Sequence, residues 1–305
     1  MNLLNFNHSI SSIFILSAKF YQKNIIPILL LTAFFVAPAF VIGLLGWSEP
    51  ESIVFFLSVH LLEAAITLGV VGTAFGSFFP TLGILRALRS SLILGAFHVA
   101  ILQYLLFITG IMGLTLPFPF SILVVALWLA GLLMTSMAQP VFIVEGVRGM
   151  RAMARSIQLA RLHMSMVFVV VVISTFLQFL VFALLFTIFM PDFNLNIDPD
   201  DNAAVSLLST ILSDPGIHTA IRWTQYLASL LFYPFASLVT TFLYFDLARR
   251  ENVLNLEHLC KFSNKFFGTP LAVKAEPASQ AEEEVVEPSE VEILDPDSSE
   301  VDKEK

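Results

Sequence analysis

Long apolar stretches alternate with short polar segments along the chain, and six of these stretches are long enough to cross a bilayer. They cover residues 25–46, 52–79, 91–113, 120–143, 164–190 and 222–247. A run of about 20 apolar residues is the length that an α-helix needs to span the hydrocarbon core. Only 13% of the residues are charged, whereas soluble domains carry about 25%. The pattern predicts an all-α integral membrane protein with six transmembrane helices.

Two polar segments have the pattern of short amphipathic helices, residues 9–23 and the segment from Arg148 onward. Arg148, Arg151 and Arg155 stand at positions i, i+3 and i+7, which share one helical face. The residues roughly opposite are Met150, Met153, Ile157, Ala160 and Met164. This arrangement predicts a helix in the headgroup region whose arginines face anionic lipid phosphates. The alternative is a plain connector whose arginines only set the topology.

The chain divides into three predicted parts: a segment 1–24 with an amphipathic helix, a membrane domain 25–250 and a tail 251–305. From about residue 270 the tail holds twelve acids and three lysines, a net charge of −9, so the rest of the −8 chain carries about +1. A segment this acidic, with few aliphatic residues, is predicted to be disordered. The balanced remainder gives no basic excess that would indicate a nucleic-acid partner.

The basic residues also predict the orientation. With six spans, fifteen of the sixteen lysines and arginines fall on one side of the membrane and only Arg222 falls on the other. Loops rich in Lys and Arg stay in the cytoplasm. Both termini are therefore predicted to be cytoplasmic.

A few ionisable and amide side chains lie inside the predicted spans. An ionised carboxylate there costs about 2.5–3.5 kcal/mol on insertion scales, so Glu63 is expected to have polar neighbours. His60 lies one turn away, Gln103 lies in span three, and Arg222 can reach inward from the start of span six. The hypothesis is a cluster of Glu63, His60, Gln103 and Arg222, which either binds a lipid headgroup or ion or serves only helix packing.

A hydroxyl-rich stripe follows one side of span six and is interpreted as packing. Its members are Tyr226, Ser229, Tyr233, Ser237, Thr240 and Tyr244.

The patterns typical of catalysis are weak. His60 and Glu63 make half a metal site, with no second close pair, and no serine has the flanking glycines of a nucleophile elbow. The sequence predicts no enzyme activity, no metal site and no cofactor.

Two motifs resemble a known family. In the first motif, residues 139–161, a proline ends a span, an acid and a glycine follow, and an Ala-x-x-Arg-Ser helix leads into the next span. In the second motif, residues 233–251, a proline is followed by Thr, by Leu-Tyr-Tyr-Asp and by an arginine-rich segment at the end of the span. The matching residues here are Pro140, Glu145, Gly146, Ala152, Arg155 and Ser156, and then Pro234, Thr241, Leu243, Tyr244, Asp246 and Arg249. The chain resembles the membrane domain of bacterial glycerophosphodiester phosphodiesterases and related stand-alone six-span proteins, over residues 9–252.

The match has departures, because Phe245 replaces the second Tyr and Glu251-Asn252 replaces a Glu-Gly pair. The family's catalytic barrel has no counterpart in these residues, so the resemblance implies the membrane module without phosphodiesterase activity.

The sequence thus favours a non-enzymatic module of the bacterial inner membrane, acting in envelope or lipid-related assembly. Its expected partners are membrane lipids, with anionic headgroups at the cytoplasmic face, and other membrane proteins. The alternative is a small transporter or lipid-handling protein that uses the polar face around Glu63.

Overall fold

A computed structural model of the protein describes residues 9–75, 79–88, 92–189, 215–251 and 267. Over these residues the chain forms ten α-helices and no β-strand. The helices are α1 Ile10–Lys23, α2 Ile25–Leu44, α3 Ser48–Phe75, α4 Thr81–Ala87, α5 Ile93–Leu114, α6 Phe120–Thr135, α7 Ala138–Glu145, α8 Met150–Leu162, α9 Met164–Phe189 and α10 Pro215–Arg250. The chain divides into a unit Met1–Leu271 and a unit Ala272–Lys305. The second unit, and with it the predicted disordered tail, lies outside the described residues.

Six helical segments in the described residues are long and apolar enough to cross a membrane, which confirms the predicted six-span, all-α membrane class. They are α2, α3, α5, the α6–α7 pair, α9 and α10. The sixth differs most from its prediction, because α10 begins at Pro215, seven residues before the predicted start of that span. Arg222 therefore lies two turns inside the helix and not at its first residue.

The fourth span is broken, although its sequence predicted one continuous helix over 120–143. Helix α6 ends at Thr135 and α7 begins at Ala138. Pro140 lies in the first turn of α7, where its missing N–H and its ring exclude a regular hydrogen bond to the carbonyl of Ser136. The break therefore falls one turn before the proline. On its other side the N–H of Ser136 donates to the carbonyl of Leu133 at 3.4 Å, so α6 ends in a tighter turn.

The least apolar span lies at the centre of the bundle. In α10 the mean hydropathy is 1.6 and 61% of the most apolar window is buried, whereas in α9 the corresponding values are 2.7 and 11%. Moving a hydrophobic side chain from lipid into the protein interior gains no hydrophobic free energy, whereas moving a polar side chain out of lipid is favourable. Helix α3, packed against α10, is also largely buried from Leu62 to Val71.

Helices α3 and α10 run in the same direction, with a constant register. The hydroxyl of Tyr226 lies 2.7 Å from Oε1 of Glu51, and Oγ1 of Thr241 lies 3.0 Å from Oγ1 of Thr67. The sequence offsets are 175 and 174, so a residue of α3 lies beside the residue of α10 about 174 positions later. Glu63 therefore lies level with Ser237.

The predicted N-terminal amphipathic helix is α1, and it packs along α10. Ile13, Ser17 and Phe20 are buried, while Lys19 and Lys23 lie on its exposed side. The hydroxyl of Tyr21 donates a hydrogen bond of 3.0 Å to the carbonyl of Leu231. Part of this helix thus belongs to the core of the bundle.

The turn between α7 and α8 depends on two glycines. Gly146 caps α7 with φ +71°, and its N–H bonds to the carbonyl of Phe142 at 3.0 Å. Gly149 precedes α8 with φ +55°, and a Cβ at this position would lie 2.8 Å from Nε2 of His98. Left-handed backbone of this kind favours glycine, and it lets α8 fold back against α6 and α7.

Candidate functional site

A cavity of about 340 Å³ lies among α3, α5, α6, α9 and α10. Glu63 is on its wall, 13 residues after the start and 11 before the end of the span Pro50–Ala74. Its polar lining comprises His60, Glu63, Gln103, Thr135, Ser136, Thr175, Tyr233, Ser237 and Thr240. The volume falls within the range of about 300–1,000 Å³ that is usual for small-molecule sites.

Glu63 and His60 share the cavity side of α3. Oε2 of Glu63 lies 3.5 Å from Nδ1 of His60, which is close enough for an electrostatic contact and too long for a hydrogen bond. The His60 ring lies against Phe56, with ring centroids 4.4 Å apart. The Glu63 residue is only 9% exposed. The carboxyl group is therefore enclosed by protein, as its position in a span requires.

Gln103 of α5 lies across the cavity, at the break of the fourth span. Its Nε2 donates a hydrogen bond of 3.1 Å to the carbonyl of Thr135, one of the carbonyls that the break of the helix exposes. Its Oε1 and Nδ1 of His60 are both buried and have no hydrogen-bond partner among the described residues. Two side chains of the cavity wall thus each keep one acceptor-capable atom that has no hydrogen bond within the described part of the chain.

Three hydroxyl groups of the cavity wall donate hydrogen bonds to carbonyl groups nearby in sequence. Thr135 donates to the carbonyl of Gly131, Ser136 to that of Leu133 and Thr240 to that of Ala236, at 2.8, 2.8 and 3.0 Å. Each hydroxyl has one hydrogen and two lone pairs. These side chains therefore present oxygen lone pairs to the cavity.

Arg222 does not join this group, contrary to the prediction. Its Nε lies 3.3 Å from Oε1 of Glu51, and its Nη1 donates to the carbonyl of Gly43 at 3.1 Å. Glu51 precedes Glu63 by 12 residues, which is about 18 Å along a helix. The parallel register of α3 and α10 keeps Arg222 at the level of Glu51, so the arginine is too far from Glu63 to pair with it.

Arg222, Glu51 and Tyr226 form what we name the Glu51 cluster. Tyr226 donates to the carboxylate that also pairs with Arg222, and its ring packs edge-on against Phe40 and Phe55. Since Arg222 also binds the last turn of α2, the cluster joins α2, α3 and α10.

A second such group, the Glu145 cluster, lies at the opposite end of α10. The carboxylate of Glu145 pairs with Nε of Arg155 at 3.2 Å and accepts a hydrogen bond of 3.1 Å from the hydroxyl of Tyr244. Nη1 of Arg155 also bonds to Oε1 of Gln158 at 2.7 Å. These contacts join α7, α8 and α10, and they bring together three residues of the two family-like motifs.

Ser156 connects α8 to the break of the fourth span. Its hydroxyl donates to the carbonyl of Met134 at 2.8 Å and accepts a bond of 3.2 Å from the N–H of Met137. Pro140 is the residue that breaks the span, and Gly146 caps α7. These motif residues have structural roles at one end of the bundle.

The remaining motif residues lie apart from that group. Pro234 is inside α10, next to Tyr233 on the cavity wall. Asp246 is fully buried and pairs with Arg250 at 2.8 Å, whereas Arg249 is exposed.

The predicted lipid-facing set of three arginines is wrong at one position. Arg148 and Arg151 are exposed, but Arg155 faces Glu145. The buried side of α8 consists of Ala152, Ser156, Leu159 and Ala160, so the packed face is rotated from the predicted methionine face; Met150 is exposed. Helical spacing placed Arg155 between Arg148 and Arg151 on one face. However, α8 begins only at Met150, so Arg148 does not share its helix, and the side chain of Arg155 pairs with Glu145.

The sequence also missed some polar contacts. Tyr233, Ser237 and Thr240, interpreted as packing residues, line the cavity. Glu51 was not considered, although an acid at the start of a span, on the same side as the lone cation Arg222, was a usable signal. His163 and Glu251, 3.0 Å apart, join α8 to the end of α10 and had no such signal.

In the described part of the chain no group of three or more His, Cys, Asp or Glu side chains could hold a metal ion.

No family model matches the chain, and neither the curated proteins nor the solved structures include a significantly similar one. The resemblance to the phosphodiesterase membrane domain stays a prediction from sequence.

Proposed function

We propose that this protein is a non-enzymatic, multi-pass protein of the bacterial inner membrane that binds a lipid or small ligand in the cavity around Glu63. The single observation that carries the proposal is that cavity, a space of about 340 Å³ lined by the carboxyl group of Glu63 and by the side chains of His60 and Gln103. Nδ1 of His60 and Oε1 of Gln103 are buried and have no hydrogen-bond partner among the described residues. Buried polar atoms are usually satisfied, so unsatisfied ones beside a cavity are accounted for by a bound ligand, ion or water.

This observation favours the handling or transport of a ligand over a role only as a module for partner assembly. A packing interface would pair its polar groups with one another, as Thr67 and Thr241 do at 3.0 Å. Around Glu63 the polar groups instead surround free space.

The hydroxyl geometry supports a role without catalysis. A nucleophilic hydroxyl needs a hydrogen bond to a base, whereas Thr135, Ser136 and Thr240 donate to backbone carbonyls of their own helices. We therefore propose that the groups around Glu63 bind and do not react.

The proposed orientation places both termini and the Glu145 cluster in the cytoplasm. It is supported by the charge bias of fifteen basic residues to one. In this orientation the exposed Arg148 and Arg151 of α8 face anionic headgroups of the cytoplasmic leaflet, which makes such lipids the proposed partners there. Contact with other membrane proteins is a hypothesis from sequence alone.

Native mass spectrometry of the full chain, purified from bacterial membranes in a mild detergent, tests the ligand site. Wild type should retain a bound lipid or small molecule, and Ala236→Phe, which fills the cavity wall, should lose it. Ala33→Phe makes the same change on the exposed side of α2 and should retain the ligand. Equal occupancy in wild type and a folded Ala236→Phe protein would overturn the proposal.

A further inference from the structure

We infer that the cavity around Glu63 is a site for a primary ammonium group, carried by a lipid headgroup or by a free amine. The inference rests on the proposed function and adds the chemistry of the ligand. The lining contains one carboxyl group, no lysine and no arginine. The one arginine expected beside Glu63 is paired with Glu51 instead, and no other arginine of the described residues forms an ion pair with Glu63.

The atoms left unpaired in the cavity wall suit a donor of several hydrogen bonds. Gln103 uses its Nε2 for the carbonyl of Thr135, which leaves Oε1 as an acceptor. Nδ1 of His60 is an acceptor in the tautomer that carries its proton on Nε2, and it lies 3.5 Å from the Glu63 carboxylate. A primary ammonium has three N–H donors and no acceptor. It can therefore bind Glu63, Gln103 and His60 together.

The hydroxyl groups of the wall and the carboxyl end of α6 also favour a positively charged ligand. The hydroxyls of Thr135, Ser136 and Thr240 give their hydrogens to their own helices, so their lone pairs remain for the ligand. Thr135 is the last residue of α6, and the carboxyl end of a helix carries partial negative charge. A phosphate or carboxylate would instead meet the carboxyl group of Glu63 and the lone pairs of these three hydroxyls.

Aromatic rings complete the site and bear on the kind of cation. Phe56 and Phe107 lie on the wall with centroids 5.4 Å apart, and Tyr233 is on the α10 side. Aromatic faces attract organic ammonium ions. A quaternary ammonium would use these faces, but it has no N–H for the unpaired acceptors, so we expect the primary ammonium to bind more tightly.

The test is a titration of the full-length protein, in neutral detergent, with dodecylammonium as the probe and binding measured by calorimetry. Dodecyltrimethylammonium has the same chain and charge without N–H donors, and dodecanol and dodecyl phosphate replace the cation by a neutral or anionic group. We expect dodecylammonium to bind wild type about tenfold more tightly than it binds Glu63→Gln. The control Glu251→Gln makes the same change outside the cavity and should bind as wild type does.

Two further arms identify the source of the ammonium. If it is a lipid headgroup, phosphatidylethanolamine in nanodiscs should displace the probe and phosphatidylcholine with the same acyl chains should not. If it is a free amine, butylammonium in solution should displace the probe in either lipid.

The outcomes separate the two proposals. Equal affinity of dodecylammonium for wild type and folded Glu63→Gln would overturn the ammonium site, as would tighter binding of dodecanol or dodecyl phosphate. If dodecanol or dodecyl phosphate bound more tightly and Ala236→Phe abolished that binding, the ligand cavity would be supported and only its preference for an ammonium group would be contradicted. If Ala236→Phe changed the binding of no probe, both proposals would fall.

Discussion

The Glu51 and Glu145 clusters lie at opposite ends of α10 and use the same three side chains, a glutamate that binds an arginine and a tyrosine. In the Glu51 cluster the arginine and the tyrosine lie one turn apart on α10. In the Glu145 cluster only Tyr244 comes from α10, while Arg155 comes from α8. The carboxylate of Glu51 therefore joins α3 to α10 alone, and α2 is reached only through Arg222. The carboxylate of Glu145 joins α7 directly to both α8 and α10.

Exposure separates the two clusters further. The side chain of Arg222 is 35% exposed and that of Arg155 is 19% exposed, while the glutamates differ little, at 14% and 16%. Water screens an ion pair more strongly when one of its side chains is more exposed, so the pair of Arg222 should contribute less than the pair of Arg155. We therefore expect the same three side chains to stabilise the two ends of the bundle unequally.

The largest expected effect is all or none and concerns the side of the membrane on which each cluster lies. Reporter fusions after residue 150, beside the Glu145 cluster, should score cytoplasmic, and fusions after residue 48, beside the Glu51 cluster, should score external. Alkaline phosphatase and a cytoplasmic fluorescent protein give opposite signals for these fusions. Both sites on one side would contradict the six-span topology.

The next largest effect should separate the two arginines. Each change leaves a glutamate with one tyrosine, but water screens the pair of the more exposed Arg222 more strongly. Arg155→Gln should therefore lower the free energy of unfolding by about 2–3 kcal/mol and Arg222→Gln by about 1 kcal/mol. Denaturation of the purified proteins in mixed detergent micelles measures both.

Arg151→Gln is the matched control, since Arg151 lies one turn from Arg155 on the exposed face of α8. It should leave the unfolding free energy unchanged. A loss at Arg151 equal to that at Arg155 would remove the distinction between the packed and the exposed side of α8.

For the tyrosines we expect the opposite order, with the larger loss of unfolding free energy in the Glu51 cluster. The hydrogen bond from Tyr226 to Glu51 is 2.7 Å long and that from Tyr244 to Glu145 is 3.1 Å long, and shorter bonds to a charged acceptor are stronger. We expect Tyr226→Phe to cost about 1.5 kcal/mol and Tyr244→Phe about 1 kcal/mol or less. The same denaturation assay decides the order, and a larger loss at Tyr244 would show that burial outweighs bond length.

The smallest effect on stability is expected for the arginines that belong to neither cluster. The double substitution of Arg148 and Arg151 by Gln should not change unfolding, but it should weaken retention of anionic lipid by about 1 kcal/mol per arginine, more at low salt. Lipid retention is measured by native mass spectrometry at two salt concentrations. Unchanged lipid binding would leave these arginines only their role in setting topology.

Local sequence determined the class of the protein and the position of its helices. Five of the six spans begin within a few residues of their prediction, because the length and hydropathy of a segment decide whether it can cross a bilayer. The amphipathic helices α1 and α8 followed from 3.6-residue spacing alone. His60, Glu63 and Gln103 were found as candidate site residues because a polar side chain inside a span is costly and therefore conspicuous.

The tertiary structure alone decided which charged groups pair and where polar groups surround free space. Arg222 could reach toward Glu63 by its length, but the register of α3 against α10 placed it beside Glu51. Arg155 belonged to the basic face by its spacing, yet the Gly146–Gly149 turn brought it against Glu145. The energy of an ion pair falls off over a few ångströms, so it depends on the relative positions of helices that are distant in sequence. Hydropathy and periodicity carry no information about those positions.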